Sequence, residues 1–286
     1  MTFYLIASQR PEDTSKRSLL QKACERRGVT VEALDVETSD PLHLPTLTES
    51  DILYRASTVK KARMIEKLLL NETCAHIYQD LFTALSSHGG SFFHHIHRGL
   101  PVIPTIPFIP GSRENVSAAV EKLGGFPLIV KAIGGSLGVG VIKVDSLESL
   151  NSLLDYFRNR DIRVYLRAFI EHEYYIRAVV LGGDVIASHT TYPVVGEFRT
   201  NVEGLGEQRR EATHLPPEIS RIAALAAKAI RIDFAGVDIL IDKEGAPYIA
   251  EVNAPFDFVC TQKITGVDIA GKFVDYLVEK SQQASA

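Results

Sequence analysis

Residues 236–241, Gly-Val-Asp-Ile-Leu-Ile, and residues 248–253, Tyr-Ile-Ala-Glu-Val-Asn, decide the fold of this chain. Each run is short and rich in β-branched residues, and Lys243-Glu244-Gly245-Ala246 between them predicts a tight turn. Side chains of a strand alternate faces, so Glu251 and Asn253 point the same way. Asp238 on the neighbouring strand is placed to join them. Two carboxylates and an amide oxygen among Val237, Ile239, Ile249 and Val252 are costly to bury unpaired. Hard oxygen donors of this kind suit Mg²⁺, which takes its remaining ligands from water and phosphates. The competing reading is an ordinary amphipathic hairpin with its acids in solvent.

A glycine-rich run, Gly134-Gly-Ser-Leu-Gly-Val-Gly140, lies about a hundred residues upstream. Strands are predicted on both sides of it, over 126–133 and 140–144. A dinucleotide-binding loop or a P-loop instead leads from a strand into a helix, and a P-loop ends in Gly-Lys-Ser/Thr. Both are disfavoured. A flap remains whose bare amides, with the Ser136 hydroxyl, can fold over phosphate oxygens. Lys131, just before it in an apolar strand, reaches the same phosphates as a point charge. The bland alternative is a glycine-rich hairpin beside a solvated lysine.

The chain has 286 residues, 45% hydrophobic and 23% charged, with a net charge of −4. This composition supports a substantial core and gives no sign of a nucleic-acid or membrane surface. Cys24, Cys74 and Cys260 have neither metal nor disulfide spacing, which fits a reducing cytoplasm. The opening apolar run is read as a first strand, not a leader.

Residues 1–56 alternate strand and helix, which implies a parallel sheet. A further helix is predicted over 59–70. His88, His94, His95 and His97 lack an accompanying carboxylate and are read as a helix face, not a metal site. Four prolines over 100–110 predict an extended connector. Helices are predicted over 112–123, 146–157, 218–230 and 265–279, and strands over 163–170, 175–181 and 185–190. Residues 281–286 are expected to form a disordered tail. The expected division is an N-terminal Rossmann-like α/β unit (1–98), a small lid (99–169) and an antiparallel-sheet unit (170–280).

In this order, Gly125-Phe-Pro-Leu-Ile-Val-Lys131, Gly135-Ser-Leu-Gly-Val-Gly-Val141, Phe198-Arg-Thr-Asn201, Ala235-Gly-Val-Asp-Ile-Leu240, Glu251-Val-Asn-Ala254 and Thr265-Gly-Val-Asp-Ile-Ala270 resemble the ATP-grasp superfamily, most closely its RimK-like carboxylate–amine ligases. The resemblance implies an α/β ATP-grasp fold and amide formation through an acyl phosphate, with release of ADP and phosphate. It implies Asp238, Glu251 and Asn253 as ligands of Mg²⁺, two ions being expected and Mn²⁺ an alternative. It implies Lys131, Gly135, Ser136, Leu137 and Gly138 at the ATP phosphates. Arg167, Ala168, Phe169 and Ile170 then hold adenine through backbone groups, with Glu171 or Glu173 toward ribose. Arg177 and Arg199, with Asn201 beside them, steady the transferred phosphate or a substrate carboxylate. The expected partners are an amino acid or peptide substrate and further copies of the chain, as a dimer or tetramer. The family's second ATP lysine has no clear match, His88 being the nearest candidate. The family's basic stretch is replaced by Val202-Glu-Gly-Leu-Gly206, and its Asn-Ala-Ser-Pro-Gly by Asn253-Ala-Pro-Phe-Asp257. These departures point to a different substrate. They also keep open a nucleotide-binding protein without ligase turnover, or a small-molecule kinase.

Overall fold

The structure is a computed structural model describing residues 1–85, 91–107, 112–133, 139–194, 196–199 and 208–284. The chain opens with β1 (Thr2–Ala7), α1 (Pro11–Glu25), β2 (Thr30–Asp35), β3 (Ile52–Arg55) and α2 (Lys60–Leu69), followed by α3 (Leu81–Leu85) and α4 (Ser91–His97). The strands form a parallel sheet in the order β2-β1-β3, as the strand–helix alternation predicts. Helix α1 starts right after Arg10, well before its first buried apolar residue, Leu20. Pro11 stands in its first turn with Glu12 and Asp13, and all three favour a helix start.

The lid comprises β4 (Thr105–Ile106), α5 (Arg113–Lys122), β5 (Leu128–Ala132), β6 (Val141–Val144), α6 (Leu147–Asn159) and β7 (Val164–Ala168). Its antiparallel sheet runs β4-β7-β5-β6. Ser112 and Ser146 cap α5 and α6, each hydroxyl accepting from a backbone N–H at 3.2 Å. One face of the sheet buries Leu128, Val130 and Leu166 against Val116 and Val120 of α5 and Leu150 and Leu154 of α6.

The last unit comprises β8 (His172–Leu181), β9 (Asp184–Thr191), β10 (Arg210–Ala212), α7 (Pro217–Ala229), β11 (Phe234–Asp242), β12 (Pro247–Asn253), α8 (Val259–Thr265) and α9 (Ile269–Ala284). Its sheet is antiparallel, in the order β10-β9-β8-β11-β12. Phe3, Leu5, Ile52 and Tyr54 of the first sheet share one core with Phe234, Phe258 and Phe273 of this unit. Phe234 stacks on Phe273 at 4.1 Å, and Tyr54 meets Phe273 edge-on at 4.7 Å. The first and last units are therefore packed as one body, and the lid has a core of its own.

Three expectations change. The proline-rich connector is extended but pairs on both sides. The Pro101 carbonyl accepts from the Ile249 N–H at 2.7 Å, and the Pro104 carbonyl accepts from the Ala168 N–H at 2.9 Å. Proline lacks a donor but keeps its acceptor, which suits a sheet edge. The helix expected over 265–279 starts only at Ile269, because Thr265 ends a separate helix, α8, that closes at Gly266 in the left-handed region (φ 70°). The expected tail is helical through Ala284. Ser281 is buried, and Lys280 donates to the His76 and Tyr78 carbonyls and to Asp233. Small polar residues mimic a tail because the carbonyls that hold them lie about two hundred positions away. His95 is also buried, its Nε2 donating to the Ala226 carbonyl at 3.0 Å and tying α4 to α7.

Candidate active site

The hairpin of β11 and β12 forms as predicted, and its register sets the site. Asp238 stands opposite Arg177 of β8 on one side and Glu251 of β12 on the other, while Gly236 stands opposite Asn253. Directly paired residues share a face, so these side chains converge. The register shifts after Asp238, and Ala250 is left without a partner in the ladder. Its carbonyl accepts instead from Arg167 Nη1 of lid strand β7 at 3.1 Å. The bulge thus turns a backbone acceptor toward the lid.

Asp238 is 5% exposed and fully engaged. Arg177 donates to both its oxygens, at 2.5 and 2.9 Å, and Asn253 Nδ2 donates to Oδ2 at 3.3 Å. Burial pushes the Asp238 carboxyl above its ordinary value, opposed by Arg177. Burial also works against the Arg177 charge, but Asp238 more than offsets it and the guanidinium stays charged. Glu251 is half exposed, with Oε1 3.9 Å from Lys131 Nζ across the gap to the lid. Lys131, Arg177, Asp238, Glu251 and Asn253 therefore form one continuous polar group.

Arg199 is placed differently. It folds back on Glu197, with contacts of 2.9 and 2.7 Å that hold the Glu197 carboxyl down to about 2. The segment expected to hold adenine begins in β7, where the Ala168 N–H is already taken by Pro104. Phe169 lies past the strand end, edge-on to Phe198 at 6.3 Å. The Ile170 carbonyl accepts from His172 Nδ1 at 3.0 Å. Glu173 lies exposed near the start of β8. Gly135, Ser136, Leu137, Gly138, Asn201 and His88 lie outside the described residues, as do Val202 to Gly206.

Two features escape the sequence reading. Lys143 stands opposite Ile129, as Val141 stands opposite Lys131, so both lysines share the lid face that also carries Arg167. Lys143 Nζ lies 4.5 Å from the centre of the Phe169 ring. Strand alternation alone, counted from Lys131 through its partner, would have found it. The second feature is Gly236. A Cβ there would sit 2.6 Å from the Phe256 ring and 3.2 Å from Arg177 Nη1. Gly236→Ala is expected to displace the ring or the arginine fork, lowering stability by about 1–3 kcal/mol. Urea unfolding and nucleotide titration of the variant measure both effects, and parental values in both would exclude this close approach.

The residues present fit a hard cation. Glu251 offers an exposed carboxylate, Asn253 keeps its carbonyl oxygen while its amide donates, and Asp238 Oδ1 retains a lone pair beyond its arginine contact. Among the described residues no cluster of three or more His, Cys, Asp or Glu forms a self-sufficient metal cage. A cation here must complete its shell from water and ligand oxygens.

A family model of the RimK-like ATP-grasp domain matches residues 101–277. The chain is 32% identical over 166 residues to a probable alpha-L-glutamate ligase of Picosynechococcus, covering 57% of this chain and 54% of that protein. It is 32% identical over 171 residues to the ribosomal protein bS6–L-glutamate ligase of Escherichia coli, covering 59% and 56%. The matched region thus spans about half the length of these curated relatives. Among solved structures, the ATP-grasp ligase PsnB complexed with minimal precursor, Mg and ADP superposes with a TM-score of 0.74 at 17% identity, over 98% of this chain and 97% of that one. The D-alanine–D-alanine ligase of Bacillus anthracis complexed with ATP gives 0.73 at 16%, over 99% and 97%. These likenesses place the architecture in the ATP-grasp fold.

Proposed function

Since this chain belongs to the RimK-like ATP-grasp family, we propose that it is an ATP-dependent carboxylate–amine ligase. The observation that carries the reading is the polar group joining Lys131 of the lid to Glu251, Asn253, Asp238 and Arg177 of the five-stranded sheet. Phosphoryl transfer needs positioning and charge neutralisation more than covalent help from the protein. Lys131 and Lys143 present cations to the phosphates from the lid. Magnesium, held by Asp238, Glu251 and Asn253, neutralises phosphate charge when bound, and two ions are part of this reading. Arg177 keeps Asp238 ionised and oriented. A carboxylate oxygen attacks the γ-phosphorus, the bond to the bridging oxygen breaks, and ADP leaves. The amine nitrogen then attacks the acyl carbon, a C–N bond forms, and phosphate departs with the C–O bond as the nitrogen gives up a proton.

In this reading the flap with Gly135, Ser136, Leu137 and Gly138 covers the phosphates. Residues 167–170 and Glu173 border the nucleotide, and Arg199 with Asn201 lies on the substrate side. Unit boundaries at 98 and 169 belong to this reading, and the separate lid core supports it. The substrates are amino acids or peptides, in keeping with the relatives' names. Among the described residues no helix is long and apolar enough to cross a membrane. Free Cys24, Cys74 and Cys260 support a cytoplasmic setting. A homo-oligomer belongs to the same reading and is checked by light scattering. Exposed Met64 and Leu68, one turn apart on α2, support it.

The deciding experiment measures ADP and phosphate release with pairs of amino acids and peptides. Release that requires both an amine and a carboxylate is expected. Phosphate retained on the product would mean a kinase, and nucleotide binding without release a protein that has lost turnover.

A further inference from the structure

The five-stranded sheet ends at β10, whose Arg210 stands opposite Thr191 of β9, itself opposite Tyr175 of β8. Paired residues share a face and Tyr175 is two positions from Arg177. Arg210 therefore lies on the face that carries Arg177, His189, Asp238 and Glu251. The lid meets this sheet at its other edge, where Lys131 reaches Glu251 and Arg167 reaches the Ala250 carbonyl. Four strand spacings separate the two edges, roughly 19 Å. An anion at Arg210 is therefore not a phosphate held by Lys131.

The contacts of Arg210 are neutral. Nη2 donates to Gln208 Oε1 at 2.9 Å, and Nη1 lies 3.5 Å from Cys260 Sγ. Its neighbours differ: Arg177 pairs with Asp238, Arg199 with Glu197, and Arg209 with Glu211. Among the described residues no carboxylate pairs with Arg210. The ground behind it is dry and cationic. His189 is buried, with Nδ1 3.1 Å from Thr261 Oγ1, and burial first, then Arg177 and Arg210, hold its imidazole down to about 4. A guanidinium fork without an acid among the described residues, on the reaction face and away from the phosphates, matches a carboxylate bidentately.

We propose that Arg210 is a specificity-determining residue whose guanidinium binds a second substrate carboxylate, one that is not activated by ATP. This rests on the ligase reading. It directs substrate choice toward an amine-bearing acid, such as a free amino acid or peptide end, over its amide.

The test compares the parent, Arg210→Gln and Arg210→Lys with free amino acids and dipeptides and their C-terminal amides as amine substrates. ADP release gives kcat and KM, and calorimetry of the same compounds with magnesium–ADP-loaded protein gives Kd. In Arg210→Gln, KM and Kd for the free acids should rise about 10- to 100-fold, as for loss of a hydrogen bond to a charged group. The amides should be unaffected, kcat and the KM for ATP should hold, and Arg210→Lys should recover part of the affinity. An equal change for acids and amides, or a lower melting temperature with unchanged selectivity, makes Arg210 a solvated edge residue and overturns the proposal. A raised KM for ATP alone would assign it to phosphate and also overturn it. If no pair of substrates releases ADP from the parent, the ligase reading fails. Calorimetry then judges Arg210 alone: acid-selective binding lost in Arg210→Gln supports it, and equal binding by both proteins overturns it.

Discussion

Glu251→Gln is expected to abolish ADP release while leaving the melting temperature unchanged. The substitution keeps shape and removes a charge from a side chain that is half exposed and contacts Lys131 only at 3.9 Å. Exposed ion pairs of that kind contribute little to stability. Loss of an outer-shell partner of a metal site already costs about 10–100-fold, so loss of a direct ligand should exceed that. Asp238→Asn separates the two roles. It too should stop turnover, but it strands the buried Arg177 guanidinium, which typically costs about 3–5 kcal/mol. A sequence reading treats both as metal ligands on one hairpin. The structure makes only one of them a structural counter-ion. Near-parental ADP release by Glu251→Gln in a coupled assay would remove it from the metal site.

The largest effect on stability alone is expected at Glu66 of α2. Arg55 and Glu66 are both about 4% exposed and meet at 2.6 Å. Arg55 also donates to the Ser57 carbonyl at 2.6 Å, and the Tyr78 hydroxyl donates to Glu66 at 3.0 Å. Glu66→Ala leaves a buried guanidinium without its counter-charge and should lower stability by about 3–5 kcal/mol. The double replacement Arg55→Met with Glu66→Leu removes both charges at similar volume and should regain most of that loss. Urea denaturation of the three variants measures this. An unfolding midpoint for Glu66→Ala equal to the parent's would show that the pair carries no net stability.

Much of the site is legible in the chain because its signals are local. The alternation of Glu251 and Asn253, the turn at residues 243–246 and the β-branched runs beside them place the acids on one face. The glycine-rich run between two strands, with Lys131 before it, correctly excludes a strand-to-helix phosphate loop, since β5 and β6 are antiparallel neighbours. The alternation over residues 1–56 yields the parallel sheet, and two serines yield the lid's helix caps.

Other features needed the assembled molecule. Arg177 and Arg199 look alike in sequence, both arginines near strands, yet one forks onto Asp238 and the other onto Glu197. Strand register brings Asp238 to Arg177, whereas Arg199 folds onto Glu197 two positions before it. The prolines of the connector announce an extended chain but not that their carbonyls are shared between two sheets. The polar residues of the last turns of α9 resemble a free end until the His76 and Tyr78 carbonyls come beside Lys280. Sequence by itself determined the elements, their faces and the residue types available for chemistry, because backbone propensity and side-chain alternation act over two to four positions. Tertiary structure alone decided which of the distant charges pair and where the lid touches the sheet. Those outcomes depend on register, a bulge at Ala250 and a core shared between the chain's two ends, none of which is encoded within a single local stretch.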